Sequence, residues 1–176
     1  MTARIGDHQK SITEEEFEEQ VSELFINYLE KCTPEEIHQV VVEWNFDNPK
    51  KPIHWIANSP KTDKGTALML FWLMEPDFAY QFETREEMVE KSSWYQEDFD
   101  IVTVLEEKYL AGFYQNQVYG YAPPAEFQEE EIKRAIASEM FLPLKGLKVS
   151  EAADWADGFP PELQERYNEL AESVEE

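Results

Sequence analysis

The sequence predicts an all-α fold, a compact bundle of six to seven helices around a central apolar helix at about 65–75. Three observations predict it. Apolar residues recur at intervals of three and four, Thr-x-x-Glu capping boxes open successive segments, and strand signals are nearly absent. The β-branched run at 40–42 lies inside a capped helical pattern, and 117–121 is too short to seed a sheet.

The first helix is expected over Ser11 to Cys32, with Phe17, Val21, Leu24, Phe25, Tyr28 and Leu29 on one face. Thr13 and Glu16 form its capping box, and the first-turn glutamates suit the positive end of the helix dipole. Thr33-Pro34-Glu35-Glu36 repeats the signature with proline at the first helical position, ahead of the stripe Ile37, Val40, Val41 and Trp44. From Phe46 to Lys64, Pro49, Pro52 and Pro60 break the pattern, so this stretch reads as loop with one helical turn over Ile53 to Asn58. The run Thr66 to Met74 is apolar on nearly every face, which marks the central helix. Asp77 to Phe82 is a connector. Thr84 with Glu87 opens a short helix to about Lys91. A long helix then runs from Trp94 to about Gln115, with Phe99, Val102, Leu105, Tyr109, Leu110 and Phe113 inward. Further helices are expected over Glu126 to Met140 and Pro161 to Val174, separated from the rest by a loop at 116–124. The division that follows is a helical domain at 1–125 and an acidic helical extension at 126–176 packed on it.

Charge limits the partners. Thirty-eight Asp or Glu stand against 15 Lys or Arg, a net −23 over 176 residues, while 42% of residues are hydrophobic, enough to form a core. So negative a surface repels phosphate backbones and anionic lipid, which argues against nucleic acid and membrane and favours a basic protein partner. No apolar run approaches a bilayer span and no signal pattern opens the chain, so a cytoplasmic location is expected. The acids crowd 13–30 and 75–110, whereas 45–65 reverses the sign with Lys50, Lys51, Lys61 and Lys64 against Asp47 and Asp63. Either this loop is functional or its lysines tie it to acidic neighbours.

That segment also carries a recognisable pattern. Trp44-Asn45-Phe46-Asp47, Ile53-His54-Trp55-Ile56, Asp63-Lys64-Gly65-Thr66-Ala67-Leu68 and Phe71-Trp72 resemble the bacterial domain of unknown function 4274 family. There a Trp-Asn turn, a Trp-Ile pair and an Asp-x-x-Thr-Ala-Leu helix start follow in this order. The resemblance covers about 35–115 and implies a small helical domain with no established activity.

Signals for chemistry are weak. Lys64-Gly65-Thr66 lacks the upstream glycine and strand of a phosphate loop, and reads as a capped entry to the central helix. His54, Ser59 and Asp63 are near in sequence, but a triad needs a buried orienting carboxylate and an oxyanion hole. His38, with Glu35 one turn earlier, reads as a partly exposed histidine; that single pair could hold a metal only if other helices contributed ligands, and with no His-x-x-x-His neither metal nor cofactor is expected. Cys32 is alone, at a helix C-terminus that disfavours its thiolate, so it reads as a small buried or half-buried residue. Most aromatics, Trp44, Trp55, Trp72 and Trp94 among them, are read as core. Trp155 differs, because Asp154 and Asp157 flank it as they would an anchor for a basic partner, or else the tail docks on its own chain.

Two functions remain. One is a non-catalytic acidic binding module for a basic protein, in the manner of an immunity or inhibitor protein. The alternative is a small ligand-binding domain or enzyme with a pocket around Trp44, Asn45, Asp47, Trp55, Asp63 and Thr66.

Overall fold

The computed structural model describes residues 11–124 and 131–174. Among these, seven α-helices and three short 3₁₀ segments carry the fold, and no strand forms beyond isolated bridges. α1 (Glu14–Lys31) and α2 (Pro34–Glu43) both begin on the expected capping boxes. Thr13 Oγ1 accepts from the Glu16 amide at 3.1 Å while the Glu16 carboxylate accepts from the Thr13 amide at 3.0 Å, and Thr33 with Glu36 repeats the exchange at 3.2 and 2.7 Å. Each box satisfies donors that a helix start otherwise leaves to water, contributing about 1 kcal/mol.

α3 (Lys51–Asn58) corrects the expectation of loop with one turn. Pro52 occupies the first turn, where no amide is needed, and Ile53, Ile56 and Ala57 bury the inward face, so the proline starts this helix instead of breaking it. α4 (Lys64–Leu73) is the apolar central helix, with Ala67, Leu68, Leu70, Phe71 and Trp72 buried between α2 and α6. Pro76–Gln81 is a 3₁₀ segment where a plain connector was expected, and α5 (Arg85–Ser92) follows its Thr84 cap.

The predicted long helix is shorter at both ends. Ser93–Tyr95 is a 3₁₀ turn, α6 spans Gln96–Leu110, and the Gly112 amide donates to Tyr109 O while the Phe113 amide donates to Lys108 O, a Schellman closure that stops the helix. Leu110, expected inward, is exposed, and so is Trp94, at 76%.

A helix over Glu126 to Met140 is not formed in its described part. Its start, like the expected boundary at 125/126, lies outside the described residues. From 131 the chain is irregular, with a 3₁₀ turn at Ser138–Phe141, because Tyr80 O captures the amides of Lys133 and Arg134 at 2.8 and 3.1 Å. α7 (Pro161–Glu172) packs on α1. Met140 and Phe159 are buried in the same core as α1 to α6, and Trp72 Nε1 donates to Met140 O at 2.8 Å.

Candidate functional site

Asp63 caps α4 and also fastens a distant loop. It is 1% exposed; Oδ1 accepts from the Gly65 amide at 2.8 Å and the Tyr119 amide at 3.4 Å, and Oδ2 from the Val118 amide at 2.6 Å. A buried carboxylate persists here because backbone donors replace its water. The Lys64 amide donates to Asn116 O at 2.7 Å, so the 116–119 segment is tied to the start of α4. Thr66 is fully buried, with Oγ1 2.7 Å from His38 Nδ1, and the imidazole stacks flat on Tyr119 at 3.8 Å and 7°.

His38 is therefore buried, correcting the expectation of partial exposure. Burial lowers its pKa from 6.5 to about 4, partly opposed by the charge of Asp63, and the imidazole is neutral at pH 7. The Thr–His pair resembles a nucleophile and its base, but Thr66 has no surface for a substrate to reach. His54, Ser59 and Asp63 do not converge either: His54 is exposed, Ser59 Oγ accepts from the Lys61 amide at 3.2 Å, and Asp63 faces Val118 and Tyr119.

Trp44 ends α2, buried edge-on against Phe25 at 5.2 Å. Asn45 Oδ1 accepts from the Asp47 amide at 3.0 Å, a local turn bond, and Trp55 is half-buried against the core. Of the six motif residues, Asp63 and Thr66 meet at one locus and Trp44, Asn45 and Asp47 at another.

The second locus receives the C-terminal chain. Asn48 Nδ2 donates to Asp157 O at 3.2 Å, the Ala152 amide donates to the Glu43 carboxylate, and Phe159 stacks on Tyr167 at 4.0 Å while packing 5.2 Å from Phe25. Trp155 is half-buried on this core with Asp154 and Asp157 exposed around it, so the indole docks on its own chain.

Each lysine of 45–65 has an intramolecular partner. Lys50 donates to Phe46 O at 2.5 Å and lies 3.8 Å from Asp98; Lys51 pairs with Glu19. Lys61 closes the end of α1 through Glu30 O and Cys32 O, and Lys64 lies over the Tyr109 ring at 4.9 Å. Cys32 is buried, and its thiol is pushed up to about 11, first by burial and then by the charge of Glu36, which keeps it protonated. Among the described residues no cluster of His, Cys, Asp and Glu suits a metal ion.

One open groove at the surface is rich in carboxylates. Between α1 and the turn before α3 runs a groove of about 390 Å³, whose charged lining is Glu15, Glu18, Glu19, Asp47 and Glu97 against Lys50 and Lys51. Lys51 is spent on Glu19, whereas Glu15, Glu18, Asp47 and Glu97 form no ion pair among the described residues. Sequence reasoning named Asp47 but not its partners, since α1 lies some thirty positions away and its glutamates look like any solvated face. The Glu15–Glu18–Glu19 spacing was the available signal.

With this geometry in place, residues 32–110 match the model of the family described as domain of unknown function 4274, a span running from the end of α1 through α6. No curated protein and no solved structure matches the chain.

Proposed function

We propose that this chain, whose residues 32–110 match the model of the domain of unknown function 4274 family, is a cytoplasmic binding module for a basic protein partner, acting in an immunity- or inhibitor-like manner. The groove at Glu15, Glu18, Asp47 and Glu97 carries this reading, because these carboxylates form no ion pair among the described residues and, with Glu19, outnumber the lysines Lys50 and Lys51 beside them, which leaves a net attraction for external cations. The net charge of −23 adds steering: a basic protein is drawn in from beyond contact distance, and nucleic acid and anionic membrane are repelled. Two further facts agree with that setting. The lone cysteine is a buried thiol, and among the described residues no helix is long and apolar enough to cross a membrane. Binding is favoured over a pocket at the tryptophan motif because Asn45, Asp63 and Thr66 spend their polar groups on a turn, a cap and His38.

Affinity capture with the full chain as bait tests this. Basic proteins are expected to be retained at about 50 mM salt and released by about 500 mM, as screening shortens the reach of the field. The quadruple variant E15Q/E18Q/D47N/E97Q should lose them. Retention of neutral proteins only, indifferent to salt, refutes the reading.

A further inference from the structure

Trp94 is the most exposed of the large hydrophobic side chains among the described residues, at 76%, yet it is not loose. Its indole stacks on Phe78 with ring centroids 5.5 Å apart and planes 25° from parallel, and it meets Tyr95 at 5.6 Å and 63°. Phe78 is itself wedged edge-on against Tyr95 at 4.7 Å and Phe82 at 5.3 Å. The 3₁₀ turn Ser93–Tyr95 thus holds the indole with one face on a rigid aromatic base and most of its surface in water. A tryptophan fixed in this way gives up little rotamer freedom on contact, which is how such side chains come to dominate binding energy.

The surroundings select the kind of contact. Glu75 and Asp77 are exposed on the segment that carries Phe78, and Glu75 is held at φ 50 at the entry to the 3₁₀ turn. The Tyr95 phenol beside Trp94 is pushed up, first by burial and then by the charges of Asp98, Asp77 and Glu75; of these Asp98 also faces Lys50 at 3.8 Å, whereas Glu75 and Asp77 form no ion pair among the described residues. Negative charge beside an electron-rich ring face repels anions. Pairing with a second copy would bring together two chains of −23 each. A cation suits both elements at once, since ring quadrupole and carboxylate attract it together.

We propose that Trp94, backed by Phe78, seats a lysine or arginine side chain of a basic protein partner, with Glu75 and Asp77 beside the bound cation. This rests on the reading of the chain as a module for a basic partner and adds a second contact point to the α1 groove.

The test is a titration of the full chain with a short arginine-glycine peptide and its glutamine-glycine counterpart, followed through the indole N–H resonances, that of Trp94 being assigned by its loss in W94F. The arginine peptide is expected to shift the Trp94 signal, and the glutamine peptide to leave it in place. W94A should weaken the arginine peptide by about twofold to thirtyfold, the range of a cation on an aromatic face, and W94F should recover part of the loss. Trp94 lies at the surface, so these variants fold. Binding of the arginine peptide that leaves the Trp94 signal unmoved, and that E15Q/E18Q abolishes, overturns this contact and leaves the groove standing. Equal response to the glutamine peptide overturns it as a cation seat. Failure of the arginine peptide to bind at all overturns both.

Discussion

Gly65 occupies a position where no side chain fits. A Cβ there would lie 2.0 Å from Tyr119 O, because the loop held by Asp63 crosses directly over the first turn of α4. Gly65→Ala would help an isolated helix by about 1 kcal/mol, but here it must push the loop away. The expected result is a loss of about 1–3 kcal/mol in urea denaturation, and a gain would show that the loop gives way freely. His38, in the same cluster, makes a pH prediction. Its folded pKa of about 4 lies below the unfolded 6.5, so the unfolded chain binds the proton more readily. The contribution of the neutral buried imidazole is intact above pH 6.5 and is lost as pH falls through 4, by at most about 3 kcal/mol. Stability measured between pH 7 and 4 should decline less in His38→Gln than in the parent chain, and parallel curves would contradict the burial argument. Asp63 as a helix cap was legible from its place before an apolar run. Its hold on Val118 and Tyr119 was not, since a carboxylate's second oxygen finds its donors only after folding.

At the scale of elements, the segment from Asp157 into α7 shows how the C-terminal chain is joined to the rest. Gly158 has φ 83, and a Cβ on it would lie 2.8 Å from the Asn45 amide nitrogen, so both backbone conformation and contact demand glycine. Just beyond it, Phe159 is fully buried against Phe25 and Tyr167. Phe159→Ala should cost about 3–5 kcal/mol and open 151–174 to protease before the remainder. Simultaneous cleavage throughout the chain would mean that the segment has no separate opening. Among helices with their own caps, α1 and α2 were legible because a capping box and an apolar stripe lie within one short window, and α5 from the Thr84 cap alone, since its Glu87 accepts from the Glu83 amide and closes no box. α3 was masked by its prolines, and the chain after 131 by a competitor that no local pattern contains, the carbonyl of Tyr80.

Over the whole molecule, self-repulsion is the governing electrostatic term. Ion pairs such as Arg85–Asp100 and Arg166–Glu169 are exposed and contribute little each, whereas an excess of 23 negative charges opposes the folded state's compactness. Raising salt from about 10 to about 200 mM should therefore raise the melting temperature, since screening relieves more repulsion than it removes attraction. A fall on adding salt would show that the ion pairs outweigh the net charge. The same excess makes any association with a basic protein sensitive to salt, linking stability to the proposed function through one physical cause.

By itself the sequence determined the helical class, the apolar central helix, most helix starts and the acidic character of the surface. Each of these depends on residues within a few positions of one another or on a simple sum. Only the tertiary structure decided that His38 is buried, that each lysine of 45–65 meets a partner within its own chain, that Trp155 docks inward while Trp94 faces water, and that Glu15 and Glu18 share a groove with Asp47 and Glu97. Those outcomes depend on which distant surfaces meet. Chain proximity does not encode them, because a side chain's burial and partners are properties of the packed neighbourhood and not of its place in the sequence.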